Sequence, residues 1–272
     1  MKGIILIEGF KMYNEIYIKQ STSVPLTIFE EIDSTNEESK RRIAEGVNED
    51  FALISKAQTA GKGRKGRSFY SPKDTGIYLT YVHFSDNSIE DDLRVTVCSS
   101  VLVKRAIKEA LNIECGIKWV NDLYYKEKKI CGILCECILK GSMGNERNAI
   151  IVGIGINLST SDFPEDIMYK AGSLIRDSEI EVIRKAPDNI VIYIINGLKD
   201  FFENHNYPEI IEEYCNSSIV LGKKVELSDA KGVVATGEVT GFDEKGAIIV
   251  NCDGENQAFG SGEISLILNN LK

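Results

Sequence analysis

With 272 residues, 43% of them hydrophobic, the chain can bury a sizeable core in one large domain and leave room for a small second one. Only 5 prolines and 27% charged residues exclude a disordered, collagen-like or coiled-coil protein. A net charge of −9 argues against general affinity for nucleic acid or an anionic membrane, so any anion site must be local.

Ile4 to Ile7 is apolar but is broken at Glu8, too short for a signal segment or a membrane span. It reads as a short strand, as does Glu15 to Ile18. Ser34-Thr35-Asn36-Glu37 has the spacing of a capping box, which predicts a helix to about Gly46. Phe51 to Ser55 reads as a strand. Thr75 to Phe84 reads as a longer one, with Ile77, Leu79 and Tyr81 alternating against Tyr78, Thr80 and Val82. A helix opening after Ser88 turns Leu93, Val97, Val101, Ile107 and Leu111 toward a core. Strands follow over Ile117 to Tyr125, Lys129 to Leu139 and Ala149 to Asn157. Helices then follow Pro187, to about Asn204, and Pro208.

The pattern changes near 218–222. Short β runs at Lys224 to Leu227, Val233 to Val239, Ala247 to Asn251 and Ile264 to Leu268, spaced by glycine turns, suggest a small SH3-like barrel. The expected division is 1–220 and 221–272. The first part lacks regular β-α alternation, so its expected class is α+β, a mixed sheet flanked by helices.

Seven cysteines, Cys98, Cys115, Cys131, Cys135, Cys137, Cys215 and Cys252, form no disulfide framework, and they point to a reducing cytoplasm. Cys131, Cys135 and Cys137 alternate along one strand, far in sequence from His83 and His205. They read as buried, inert thiols on one strand face rather than as a zinc site.

The most informative stretch is Gly61-Lys62-Gly63-Arg64-Lys65-Gly66-Arg67-Ser68. As a dinucleotide fingerprint it fails, because only Ser68 to Asp74, with Pro72 among them, separate it from the next strand and no crossover helix fits. The same proline excludes a P-loop helix, and neither histidine is followed by the Arg-Asp of a kinase. A basic run alone is ordinarily a solvated loop. Glycine alternating with Lys and Arg, however, lets backbone N–H groups approach an anion that the side chains neutralise, and such a loop should be mobile until an anion orders it.

This loop, preceded by Gln58-Thr59-Ala60, stands in register with Asp33-Ser34-Thr35-Asn36, Lys118-Trp119-Val120-Asn121-Asp122-Leu123, Lys129-Ile130-Cys131-Gly132-Ile133-Leu134, Val152-Gly153-Ile154-Gly155-Ile156-Asn157 and Gly262-Glu263-Ile264-Ser265. Together these segments resemble the biotin protein ligases from about residue 30 onward. The resemblance implies a catalytic domain of the class II aminoacyl-tRNA synthetase-like, biotin/lipoate ligase fold. It also implies a two-step reaction, in which biotin and ATP with Mg2+ give biotinyl-5′-AMP and a carrier lysine then displaces AMP. The implied partner is the biotin carboxyl carrier protein domain of a carboxylase, and the family also contains sheet-edge homodimers.

By matched position, Lys118 would bridge the biotin carboxylate and the α-phosphate, and Arg64 would close the loop over the adenylate. Ser34, Thr35, Asn36, Gln58, Gly61, Lys62, Gly63, Arg64, Lys118, Gly132 and Gly153 would contact biotin. Arg64, Arg67, Phe69, Tyr70, Lys118, Asn121, Lys129 and Asn157 would hold ATP or the adenylate, and Asp122 would ligate magnesium. Glu263 would either brace the site or cap a turn. Three residues depart from the pattern: Lys62 stands for the usual Arg, Phe69 for a common Trp and Val120 for the usual Pro. Only 33 residues precede Ser34, without a helix pair, so no operator DNA binding is expected. A lipoate or octanoate ligase or transferase of the same fold and a non-catalytic biotin sensor are the competing readings.

Overall fold

The computed structural model describes residues 12–86, 92–176, 185–204 and 207–267, so the expected strand at Ile4 to Ile7 lies outside the described residues. The segment Glu15–Ser21 is helix α1 rather than a strand. The side chain of Asn14 accepts from Tyr17 N at its start, Glu15 and Lys19 suit its two ends, and only Ile18 is buried.

A seven-stranded sheet follows: β1 (Leu26–Phe29), β2 (Phe51–Ser55), β3 (Gly76–Ser85), β4 (Gly116–Lys118), β5 (Asp122–Tyr125), β6 (Lys128–Ile138) and β7 (Asn148–Asn157), in the order β1-β2-β3-β7-β6-β5-β4. Only β1–β2 is parallel, which makes the sheet mixed, as expected. The expected single strand over Ile117 to Tyr125 is instead the β4–β5 hairpin, turning at Trp119–Val120, a cis peptide. Val120 is buried there, and its carbonyl accepts from Tyr214 Oη at 3.1 Å.

Strand alternation splits the apolar residues between two faces. Ala52, Ile54, Leu79, Tyr81, Cys131 and Ile154 join the main core with α3 (Asp92–Leu111), α4 (Ala186–Asn204) and α5 (Tyr207–Asn216). Leu53, Val82, Phe84 and Ile151 face α2 (Thr35–Ala44) and its Ile43. Helix α2 begins at the predicted place, yet the capping box is not made. Ser34 gives no side-chain cap, and Glu37 pairs with Lys40 instead. Of the three strand cysteines, Cys131 is buried, Cys135 half-buried and Cys137 exposed. No cluster of three or more His, Cys, Asp or Glu that could hold a metal occurs among the described residues.

The C-terminal part is a five-stranded antiparallel sheet of β8 (Lys224–Asp229), β9 (Gly232–Phe242), β10 (Ile248–Cys252), β11 (Glu255–Phe259) and β12 (Glu263–Leu266), in the order β11-β10-β9-β8-β12. Strand pairing leaves it open at β11 and β12 rather than closing the expected barrel. Strand β11 was not foreseen, because its largely exposed, polar sequence carries no hydrophobic alternation. The hairpin signal was Asp253-Gly254, both at positive φ.

The two parts share one continuous core, in which Val225, Leu227, Val239 and Ile248 are buried with the residues of α3 and α4. Trp119 Nε1 also donates to Gly246 O at 2.9 Å from within it. Among the described residues no helix is long and apolar enough to cross a membrane. Because the core is shared, calorimetry is expected to show a single thermal transition whose calorimetric and van't Hoff enthalpies agree; two resolved transitions would contradict this packing.

Candidate active site

A cavity of about 770 Å³ opens on the α2 face of the sheet. Its floor is hollowed by glycines in register, since Gly153 pairs with Thr80, Gly155 with Tyr78 and Gly132 with Gly155. A Cβ on Gly153 would lie 2.2 Å from Asn36 Oδ1, and one on Gly155 would lie 2.5 Å from the Phe69 ring. The space above these strands is thus occupied by side chains of α2 and of the loop.

Every site residue named from the sequence lines this cavity except Gly61. Gly61 acts on the loop itself. Its carbonyl accepts from Phe69 N at 2.9 Å, and a Cβ there would meet Phe69 O at 2.5 Å.

One end of the cavity is neutral and polar. Gln58 Oε1 accepts from Thr35 N at 2.8 Å, and Gln58 Nε2 donates to Ser71 Oγ at 3.0 Å. Thr80 Oγ1 lies 2.8 Å from both Thr35 Oγ1 and Asn36 Oδ1. One hydroxyl proton cannot serve both contacts. The amide oxygen only accepts, so Thr80 donates to Asn36, and Thr35 Oγ1 in turn donates to Gln58 Oε1 at 3.1 Å. Asn36 Nδ2 donates to Glu136 Oε2 at 2.9 Å.

The other end is cationic. Lys118 is half-buried at the end of β4, and burial draws its ammonium below the ordinary lysine range against the opposing pull of Asp122 and Glu263. Among the described residues no carboxylate lies within ion-pair distance of it. Its Nζ sits 5.7 Å from the centre of the Tyr124 ring instead. Asp122, opposite Lys118 in the hairpin, is paired with Lys129, with Oδ1 2.7 Å from Nζ but off the line of a hydrogen bond.

The loop is folded over this end. Lys65 and Gly66 take positive φ to make a tight turn, closed by Gly63 N to Arg67 O at 2.7 Å. Two contacts from outside fix it, a source of order that its composition does not reveal. Arg64 Nη1 donates to Asn121 Oδ1 at 3.1 Å, and Arg67 grips Glu263 of β12 with both nitrogens, at 2.5 and 2.9 Å. Arg67 holds the Glu263 carboxyl below the usual carboxylate range. Lys62 stands 3.7 Å from Glu37 of α2.

A third wall is apolar. Phe69 meets Tyr78 edge-on at 6.4 Å, and Tyr70 faces Phe163 at 6.2 Å. Phe163, Ile167 and Ala171 come from a segment after β7 that is pinned to β6 by Lys129 N to Lys170 O at 2.8 Å and Gly172 N to Lys129 O at 2.9 Å. Asn157 Nδ2 donates to Gly172 O at 3.0 Å, while its buried Oδ1 has no partner among the described residues. Sequence reasoning missed this segment, together with Thr80, Tyr124 and Glu136. The mid-strand Thr80 and Glu136 did carry a signal, a polar side chain within an otherwise apolar strand.

Residues 28–157 match the biotin/lipoate A/B protein ligase family, and residues 220–267 match the biotin protein ligase C terminal domain. Over 97% of its length the chain is 26% identical to the bifunctional ligase/repressor BirA of Salmonella typhimurium, of which it covers 82%. It is 24% identical to the biotin–[acetyl-CoA-carboxylase] ligase of Mycobacterium tuberculosis, with 88% of each covered. The biotin protein ligase from Aquifex aeolicus in complex with biotin and ATP is similar with a TM-score of 0.70 and 29% identity, over 89% of this chain and 98% of that one.

Two consequences can be measured without ligand. Gly153→Ala would drive a methyl into the Asn36 carboxamide and is expected to destabilise the protein by about 1–3 kcal/mol, read as a lowered Tm; an unchanged Tm would mean the packing is looser than described. Glu263→Ala would release Arg67, so trypsin is expected to cut within residues 64–67 several-fold faster than in the unsubstituted protein. Equal cleavage rates would deny the latch.

Proposed function

Because this chain belongs to the biotin/lipoate A/B protein ligase family, on its biotin ligase branch, we propose that its cavity condenses biotin with ATP and passes the biotinyl group to a lysine of a biotin carboxyl carrier protein. A carboxylate oxygen of biotin bonds to the α-phosphorus and pyrophosphate leaves. The carrier amine then attacks the carbonyl carbon of the mixed anhydride, loses a proton, and AMP departs.

The observation that carries this reading is Lys118, a half-buried ammonium with no carboxylate partner among the described residues, which lines one cavity with a neutral polar site and a cationic loop. Bringing a carboxylate against a phosphate sets two anions together, and an unneutralised cation fixed between them lowers that barrier directly. Ser34, Thr35, Asn36 and Gln58 suit the ring head, with Gly132 and Gly153 leaving the floor low enough to admit them. Phe69, Tyr70 and Phe163 suit the adenine, and the unpaired Oδ1 of Asn157 suits an amino group of the base. Arg64, tied to Asn121, and Arg67, tied to Glu263, give the loop its closed form, with Lys62 and Gly63 completing its inner surface.

Magnesium accompanies ATP as the ion of its phosphates. Asp122 does not fit the role of its protein ligand, because the oxygen that would serve faces the Lys129 ammonium at 2.7 Å. No step is routed through a protein-held ion.

The division at 218–222 gives the C-terminal sheet a function, since it carries Glu263 to the loop. The net charge of −9 and seven cysteines without a disulfide framework support a cytoplasmic enzyme that does not act on DNA. The outer edge of the sheet at β1, half-buried and with a neighbouring strand on one side only, suits pairing with a second copy.

Exchange of labelled pyrophosphate into ATP is expected with biotin and not with lipoate, and the reverse preference would refute the assignment. Lys118→Ala is expected to slow exchange by about 10²–10³-fold while altering biotin affinity far less; equal loss in both would leave Lys118 a mere binding contact. Burial lowers the pKa of the ammonium, and only its charged form can act. Activity should therefore fall on the alkaline side at a pH below the ordinary lysine range, and Lys118→Arg should move that limb upward.

A further inference from the structure

Asn36 is 4% exposed and fills the space above Gly153, yet neither fact decides which way its carboxamide points. An amide can be turned end for end, exchanging its donor and acceptor at little steric cost. Thr80 does not choose between the two orientations, because a hydroxyl either donates or accepts. A carboxylate only accepts. Glu136, reaching Asn36 from β6, therefore breaks the symmetry, since its Oε2 at 2.9 Å demands the Nδ2 end of Asn36.

That choice propagates. With Nδ2 on Glu136, Oδ1 turns to Thr80 and the Thr80 proton is committed to Oδ1, while the Thr35 hydroxyl keeps its own acceptor in Gln58 Oε1 at 3.1 Å. Glu136 is itself held in place. Lys40 of α2 binds its other oxygen at 2.8 Å and Glu37 at 2.9 Å, and Glu37 in turn faces Lys62 of the loop. The half-buried Lys40–Glu136 pair holds the carboxylate in place behind Asn36.

We infer that Glu136, anchored by Lys40, is a specificity-determining positioning residue: it sets the donor–acceptor direction of Asn36 and Thr80, and so favours a ring that offers an acceptor to Asn36. In this direction the second N–H of Asn36 is left for the ligand. A cyclic urea, with its carbonyl oxygen, matches that donor. A dithiolane ring such as that of lipoate does not, and it would leave the buried N–H unpaired. The inference rests on the reading that Asn36 meets the ring head.

The test is steady-state pyrophosphate exchange on Glu136→Leu and Glu136→Gln, with biotin and lipoate as alternative acids. Glu136→Leu is expected to raise the biotin KM about tenfold, the worth of one misdirected hydrogen bond, with kcat and the ATP KM within about threefold. The biotin-to-lipoate ratio of kcat/KM should fall by the same factor. Glu136→Gln keeps an acceptor for Asn36 but loses the ion pair, and it should fall between the two. An unchanged selectivity ratio in Glu136→Leu, or an equal rise in the ATP KM, overturns the inference. Should Glu136→Leu not fold, the ratio in Glu136→Gln decides in the same way. Asn36→Ala separates the layers: if it leaves the biotin KM unmoved, the reading of the ring site fails, whereas a raised KM there with an unmoved ratio at position 136 defeats Glu136 alone.

Discussion

The organising constraint is the repulsion between two anions that must touch. A protein of net charge −9 gives no help from its overall field, so cations have to be gathered at one place and kept from collapsing onto the carboxylates around them. The structure grades how far each is neutralised. Lys129 is spent on Asp122 and Arg67 on Glu263, which makes them fixtures, whereas Arg64 rests on a neutral amide and Lys118 on an aromatic ring. A ring face steadies an ammonium without cancelling it. The charge available for chemistry is what remains after this pairing.

The glycines in the floor answer a second demand. A mixed sheet packed on both faces has no room for a ligand, and the chain makes room by deleting side chains at three registered positions rather than by opening the strands. The vacated volume is partly refilled by Asn36 and Phe69, which converts an apolar sheet face into a floor with one polar and one aromatic tile. Gly153, which the sequence offers as a place for ligand against bare backbone, is covered instead by the Asn36 carboxamide.

Much of this was legible in the sequence, and the exceptions share a cause. Strands β2, β3, β6 and β7 and the long helices α3 and α4 were read closely because each has a hydrophobic period long enough to see. The β4–β5 turn was hidden because Trp119 and Val120 are both apolar and buried, and the polar Asn121 and Asp122 that follow carry a ligand reading of their own. Helix α1 was misread because a short segment with one buried residue has no period. At the site, the motif residues were visible because chemistry restricts their types. Glu136 and the segment around Phe163 were not, since they act through contacts made across the fold. Glu263 illustrates the limit, because its motif was seen while its partner, Arg67, lies 196 residues away.

That separation bears on how the molecule comes into being. Most of the strands, helix and loop that enclose the cavity precede β8, whereas the carboxylate that fastens the loop belongs to the last described strand, which also completes the wall through Glu263, Ile264 and Ser265. A nascent polypeptide therefore cannot fasten its loop before β12 has been made, and a product cut short before that strand would lack both the clasp and this part of the wall.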